Sequence, residues 1–315
     1  MDRRSLLRKL AGLGAGSFLS RLAGAGDDPH DFVLHSEARL VLLDVSVKDR
    51  EGALVSGLAQ DNFHVFENGR PQPLTVFDHD DLPVTLGILM DESRSMTPKR
   101  ADVLGAAEAF IAESNHNDEI FVLNFNEKVM YGLPSSTPFS DDPAELHKAL
   151  ARALPEGRTA LYDAVVEGLQ HLERGKRAKK TLVLISDGGD NASKHTRKQT
   201  LDLVQRSIAT IYTIGVFDAE DKDRDPGILK RLAQISGGES YFPQSSREML
   251  PVCHRIARDI RARYTLGYLP PEDLAGHQAA HQNALRHIEI HVSAPCYDKL
   301  ITRTRESYVY EEASK

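Results

Sequence analysis

The chain has 315 residues, enough for one large domain or two modest ones with a real core. Apolar residues make up 41% and charged residues 27%, a balance that excludes a disordered or membrane-embedded chain. The 39 basic against 46 acidic side chains give a formal charge of −7, which argues against broad electrostatic binding to nucleic acid or anionic lipid.

The charge is unevenly spread. Residues 1–25 carry Arg3, Arg4, Arg8, Lys9 and Arg21 against a single acid, Asp2, so the remainder has 34 basic and 45 acidic residues, or −11. A Gly/Ala-rich apolar run, Leu10–Leu19, follows the basic start, and then the small-x-small sequence Ala23-Gly24-Ala25. This order of regions is that of a removable signal peptide. The run is only about ten residues, against roughly twenty for a membrane-spanning helix, so no stable span is expected in the mature form. The adjacent arginines resemble a bacterial twin-arginine signal, which implies an exported protein, periplasmic or extracellular. The competing reading is a basic amphipathic helix lying on a membrane. Two cysteines, Cys253 and Cys296, require no disulfide framework. Cys253 is in helical phase with Met249, Ile256, Ala257 and Ile260, which predicts a buried free thiol.

Residues 30–80 read as a β segment. Val41, Leu43, Val45 and Val47 alternate with Asp44, Ser46 and Lys48, the pattern of a half-buried strand. Phe63–Asn68 and Leu74–Asp78 look like two more strands around a turn at Gly69-Arg70-Pro71. From 83 to 262 strands and helices alternate. Val84–Met90 is nearly continuous apolar, as a strand buried on both faces requires. Val103, Ala106, Ala107, Phe110 and Ile111 then mark a helix face. Further strands are expected at Ile120–Phe125, Thr181–Ile185, Ile208–Val216 and Ser240–Phe242, with helices at Pro143–Leu154, from Leu161, Lys198–Arg206, Gly227–Ile235 and Arg247–Ile260. This succession predicts an α/β fold, a doubly wound and mostly parallel sheet. Residues 263–310 return to strands at Tyr264–Leu269, His287–Val292 and Leu300–Tyr308. Neither β flank can bury a core alone, so the two are expected to pair as one smaller β module.

The chemistry concentrates at three strand or helix ends. The first buried strand runs into Asp91-Glu92-Ser93-Arg94-Ser95. Gly157-Arg158-Thr159 opens a helix, and Ser186-Asp187-Gly188-Gly189-Asp190-Asn191 follows another buried strand. Carboxyl ends of parallel strands are where ligands bind in such sheets. Hydroxyls and carboxylates without thiols suit a hard cation such as Mg²⁺. For any one loop, helix capping explains the same residues; three in register favour a metal.

The D-x-S-x-S run, the distant Thr in Gly157-x-Thr159-Ala160-Leu161-x-Asp163-Ala164 and the Asp after a buried strand resemble a von Willebrand factor type A (VWA) domain and its metal-ion-dependent adhesion site. The resemblance implies a Rossmann-like fold and assigns Asp91, Ser93, Ser95, Thr159 and Asp187 as the metal residues. It implies Mg²⁺, or Mn²⁺ or Ca²⁺, and a protein partner that presents an Asp or Glu carboxylate to the cation. Val45-Ser46-Val47, Val65–Gly69 and Tyr264–Tyr268 also look like a bacterial VWFA-related family of exported proteins. On this reading the protein is a binding module and no enzyme. A metal-assisted hydrolase and a structural accessory module with incidental metal are the alternatives.

Other signals point elsewhere. His277-Gln278-Ala279-Ala280-His281 lacks the Glu of a zinc-protease motif. Asp221–Gly227 has Pro226 where a calcium loop needs Gly, and reads as an acidic loop and helix start. Arg174–Lys180 is expected to be a solvated basic helix end, and His287, Glu289 and His291 the solvated face of a strand.

Overall fold

The computed structural model describes residues 40–217, 223–270 and 284–310. The export-signal reading and His277–His281 lie outside those residues, as do Asp221 and Lys222. Among the described residues no helix is long and apolar enough to cross a membrane.

Strands β1 (Val41–Lys48), β2 (Phe63–Glu67), β3 (Arg70–Gln72) and β4 (Leu74–Asp78) open the described chain. Next come β5 (Val84–Asp91), helix α1 (Arg100–Ala112), β6 (Glu119–Phe125), β7 (Val129–Tyr131), α2 (Pro143–Leu150) and α3 (Leu161–Glu173). The α/β part continues with β8 (Lys179–Ser186), α4 (Arg197–Arg206), β9 (Thr210–Gly215), α5 (Pro226–Ser236), β10 (Ser240–Tyr241) and α6 (Ser246–Arg261). The last strands are β11 (Tyr264–Tyr268), β12 (Ala284–Val292), β13 (Ile301–Arg303) and β14 (Ser307–Tyr310).

The central sheet has the order β10-β9-β8-β5-β6-β7. Its strands are parallel except β7, which runs antiparallel to β6. Every residue of β5 and of β8 is buried, as strands covered by helices on both faces must be. The architecture is the mixed α/β, mostly parallel sheet that the alternating pattern predicts. Chain order reverses at β5, whose neighbours are β6 and β8, so the crevice beyond its carboxyl end is the natural ligand position.

The flanking strands form two four-stranded sheets, β13-β1-β11-β4 and β14-β12-β2-β3. Each joins N-terminal and C-terminal strands: β1 pairs with β11, and β2 with β12, both antiparallel. Leu43, Val45, Val47, Phe63, Val65, Tyr264, Leu266, Tyr268, Ile288 and Ile290 form one buried cluster shared by these sheets. Glu67 is buried in this module. It accepts hydrogen bonds from the Tyr268 and Tyr308 hydroxyls at 2.6 and 2.7 Å and pairs with Arg286 at 2.6 Å. The α/β segment is thus an insertion: it leaves β4 and re-enters β11, which are hydrogen-bonded neighbours with Asp78 opposite Thr265.

The structure corrects two expectations about polar faces. The alternate face of β1 is buried at Ser46 and Lys48 and half-buried at Asp44, because it packs on the α/β part. Ser46 is buried and donates to Asp259, and Lys48 is buried and paired with Glu239. Likewise the basic run after α3 is only partly a solvated helix end. Lys179 and Lys180 start β8 and are buried, Lys179 donating to the Arg263 carbonyl at 3.2 Å and Lys180 to the Gly175 carbonyl at 2.7 Å. His287, Glu289 and His291 are exposed while Ile288 and Ile290 are buried, as period-2 alternation requires.

Arg263 sits between the two parts and is buried. It donates to the Tyr212 hydroxyl at 2.8 Å and to the carbonyls of Gly237 at 2.7 Å, Asp44 at 3.1 Å and Arg303 at 3.1 Å. Its ion-pair partner is Asp259, which also accepts from Tyr212 and Ser46. Gly237 closes α5 at φ +80°, and a Cβ there would lie 2.3 Å from the Thr304 backbone, so this approach admits only glycine. Removing one member of a buried charged pair strands the other. Arg263→Ala is therefore expected to cost about 3–5 kcal/mol in urea unfolding. Arg263→Lys should recover only part, since one ammonium cannot span these acceptors. A loss below about 1 kcal/mol would show that the cluster does not hold the two parts together.

Candidate metal centre

Three loops converge at the carboxyl ends of β5 and β8. Asp91 ends β5, and its Oδ1 accepts the Ser93 amide at 2.9 Å. That local bond, of the kind short carboxylates form two residues on, turns the chain out of the sheet. A short 3₁₀ segment, Arg94–Lys99, follows, with Met96 buried beneath it. The second loop precedes α3. Its Glu156 amide donates to the Glu92 carbonyl at 2.9 Å, and the Arg94 amide to the Gly157 carbonyl at 3.4 Å. The third loop follows β8. Asn191 and Ala192 amides both donate to the Thr159 carbonyl at 2.9 Å, and the Asn191 side chain accepts the Thr159 amide at 3.0 Å.

Four of the five residues expected at the metal site are linked by hydrogen bonds. Asp91 holds Ser93, the Ser93 and Ser95 hydroxyls are 3.1 Å apart, and Ser95 donates to Asp187. Thr159 is carried to the same end of the sheet by the backbone bonds of its loop and is buried. Asp91, Ser93 and Asp187 are also buried, and Ser95 is partly exposed.

Burial, and then the charge of Asp187, push the Asp91 carboxyl up to about 7, against hydrogen bonds from Ser186 and Ser93 that lower it. The largest influences on it include no cation. Buried carboxylates of Asp91 and Asp187 beside hydroxyls therefore make a donor set that a hard divalent cation fits. Among the described residues no group of three or more His, Cys, Asp or Glu could hold a metal. Here hydroxyl oxygens would supply the additional ligands.

Several further residues organise this centre in roles that the spacing does not assign. Ser186 donates to Asp91 Oδ2 at 2.6 Å and accepts the Gly188 amide at 3.0 Å. Gly188 has φ +82°, and a Cβ on it would lie 2.3 Å from the Asp225 carbonyl oxygen. Asp190 accepts the Tyr162 amide at 3.2 Å, capping α3 from another loop because Ala160 at its N-cap cannot. Asp163, in the first turn of α3, accepts the amides of Lys194 and His195 at 3.0 and 2.9 Å. Glu92 is buried and bonded to Arg100 at 3.0 Å, while Arg94 is exposed, so the two residues between the motif positions have opposite fates. Cys253 is a buried free thiol that burial pushes up to about 12, and Cys296 is free and exposed.

Residues 86–189 match the family model of the von Willebrand factor type A domain, and that span contains all five expected metal residues. Over those residues the chain matches a VWA domain. An uncharacterized protein of Synechocystis sp. is 25% identical over 177 residues, which cover 55% of this chain and 41% of the relative. The matched region is thus less than half of that relative's length. Among solved structures, a von Willebrand factor type A protein from Catenulispora acidiphila is similar at 14% identity and TM-score 0.49, over 88% of this chain and 75% of that one. Proximal thread matrix protein 1 of the mussel byssus, with a zinc-occupied adhesion motif, is similar at 15% identity and TM-score 0.45, over 57% of this chain and 48% of that one. VWA domains commonly hold a divalent metal at such a motif and often bind proteins through it.

The raised carboxyl of Asp91 has a pH consequence. Its folded value of about 7 lies above its ordinary value of 3.8, so the fold holds this proton more tightly than the unfolded chain does. The group destabilises the metal-free fold above about pH 7, and the cost fades as pH falls from about 7 towards 4. In chelator, unfolding free energy should therefore rise between about pH 8 and pH 6, and Asp91→Asn should flatten that rise. An unchanged pH profile in the variant would overturn the assignment.

Proposed function

We propose that the protein is an exported binding module whose VWA domain holds a divalent cation through Asp91, Ser93, Ser95, Thr159 and Asp187. Through that cation it binds an Asp or Glu carboxylate on a protein partner. The observation that carries this reading is the hydrogen-bonded run from Asp91 through Ser93 and Ser95 to Asp187. It is an oxygen-only, under-compensated pair of carboxylates at a strand end.

The bound cation would supply electrostatic attraction for an anionic oxygen. This chain's own residues set how strongly. Asp91 is engaged by Ser93 and Ser186, which fixes its orientation, and Asp187 by Ser95 and the Gly189 amide at 2.9 Å. Mg²⁺ prefers octahedral oxygen coordination and keeps waters, so a position open to exchange by a partner carboxylate is natural. The reading is one of binding, and turnover forms no part of it.

Calorimetric titration of the protein with Mg²⁺, Mn²⁺ and Ca²⁺ tests the site. Wild type should bind at one site, and Asp91→Ala and Asp187→Ala should abolish the heat. Ser186→Ala, which removes the bond that orients Asp91 and the one that holds the Gly188 amide, should weaken binding about tenfold. Equal binding by wild type and the Asp variants would sink the proposal. Export rests on the N-terminal sequence and is tested separately. In a bacterial host, Arg3→Lys with Arg4→Lys should hold the protein in the cytoplasmic fraction, and unchanged fractionation would exclude the twin-arginine route.

A further inference from the structure

Ser93 and Thr159 are buried and Ser95 is partly buried, and of the residues beside them in the chain Glu92, Met96 and Ala160 are buried while two are turned outward. Those two are Arg94 and Arg158, and both are exposed. They lie on different loops, yet the loops are stitched at this point by the Arg94 amide and the Gly157 carbonyl. Neither guanidinium has an ion-pair or hydrogen-bond partner among the described residues. Acids are at hand: Glu127 and Glu156 are exposed, and a Cβ on Gly157 would meet the Glu127 carboxylate at 3.4 Å. The two positive charges are nonetheless uncommitted. Leu154, on the same loop, is 71% exposed and the most exposed large apolar side chain of the described residues.

We propose that Arg94 and Arg158 form a second acid-binding point beside the metal centre, so the partner is a protein segment with at least two acidic side chains. One carboxylate meets the cation and another meets the arginines, with an apolar neighbour against Leu154. This rests on the metal-dependent reading above. Planar guanidinium groups recognise carboxylates in a fixed two-point geometry and stay charged at any physiological pH. The charge balance makes them useful. Residues 26–315 carry −11, so an acidic segment is repelled by most of the surface and needs a local positive field.

The test measures binding of short blocked peptides to the full chain in Mg²⁺ and in chelator. One peptide carries a single aspartate flanked by leucine, and the others add a second aspartate at each nearby position. Wild type should prefer the best two-aspartate peptide about fivefold, the effect of two exposed ion pairs, and lose that preference in high salt. Arg94→Ala with Arg158→Ala should bind both classes equally while binding Mg²⁺ at least as tightly as wild type. Chelator-sensitive binding with no preference in wild type, or a preference that survives in the variant, would overturn this proposal alone. Mg²⁺ binding with no chelator-sensitive capture of any peptide would overturn the partner reading beneath it as well.

Discussion

The two parts of the molecule meet across a buried charged contact, and its geometry governs everything above it. Arg263 follows α6 and immediately precedes β11, so it belongs to the point where the α/β segment hands the chain back to the β module. Its guanidinium reaches carbonyls of β1, of the α5 terminus and of β13, and it is paired with Asp259. A second pairing repeats the arrangement, with Glu239 held by Lys48 from β1 and Arg303 from β13. Such groups are costly to bury unless nearly every donor and acceptor is met. Here, among the described residues, the Nε atoms of Arg263 and Arg303 are the side-chain donors of the two pairings left without a partner. The contact therefore specifies one relative placement of the two parts.

The metal centre has a related logic at the other end of the sheet. Its loops are not held by apolar packing alone. Each is bonded to the next through backbone amides or through a short side chain, and the acids that are not metal candidates do the stitching. Asp190 and Asp163 fasten the third loop to the start of α3, while Glu92 and Arg100 fasten the first loop to α1, with Arg100 reaching the Ala153 carbonyl at 2.5 Å. The hydroxyl contacts from Ser93 to Ser95 and from Ser95 to Asp187 are the ones a cation can replace without dismantling that frame.

Much of this was legible in the sequence. The parallel sheet followed from runs such as Val84–Met90 that are apolar at every position, because two-sided burial erases alternation. The metal residues followed from chemistry at strand ends, and their type and order carried the family likeness. What could not be read was any property that depends on a distant surface. Ser46 and Lys48 look like solvent-facing residues of an alternating strand, and nothing local says that a helix bearing Asp259 covers them. Lys179 and Lys180 look like a solvated helix end for the same reason. Ser186 stood in the oxygen-rich run after β8, but its bond to Asp91 exists only once β8 lies beside β5.

The insertion of the α/β segment between paired strands has a mechanical consequence. Both ends of the described chain lie in the β module, β1 at one side and β14 at the other, and the segment 84–262 begins and ends beside hydrogen-bonded neighbours. Tension applied along the polypeptide would be carried from strand to strand across the two small sheets. The segment that holds the metal loops hangs from that path as a side branch, so stretching the chain would load the ladders of β1, β11 and β4 before it distorted the crevice at Asp91.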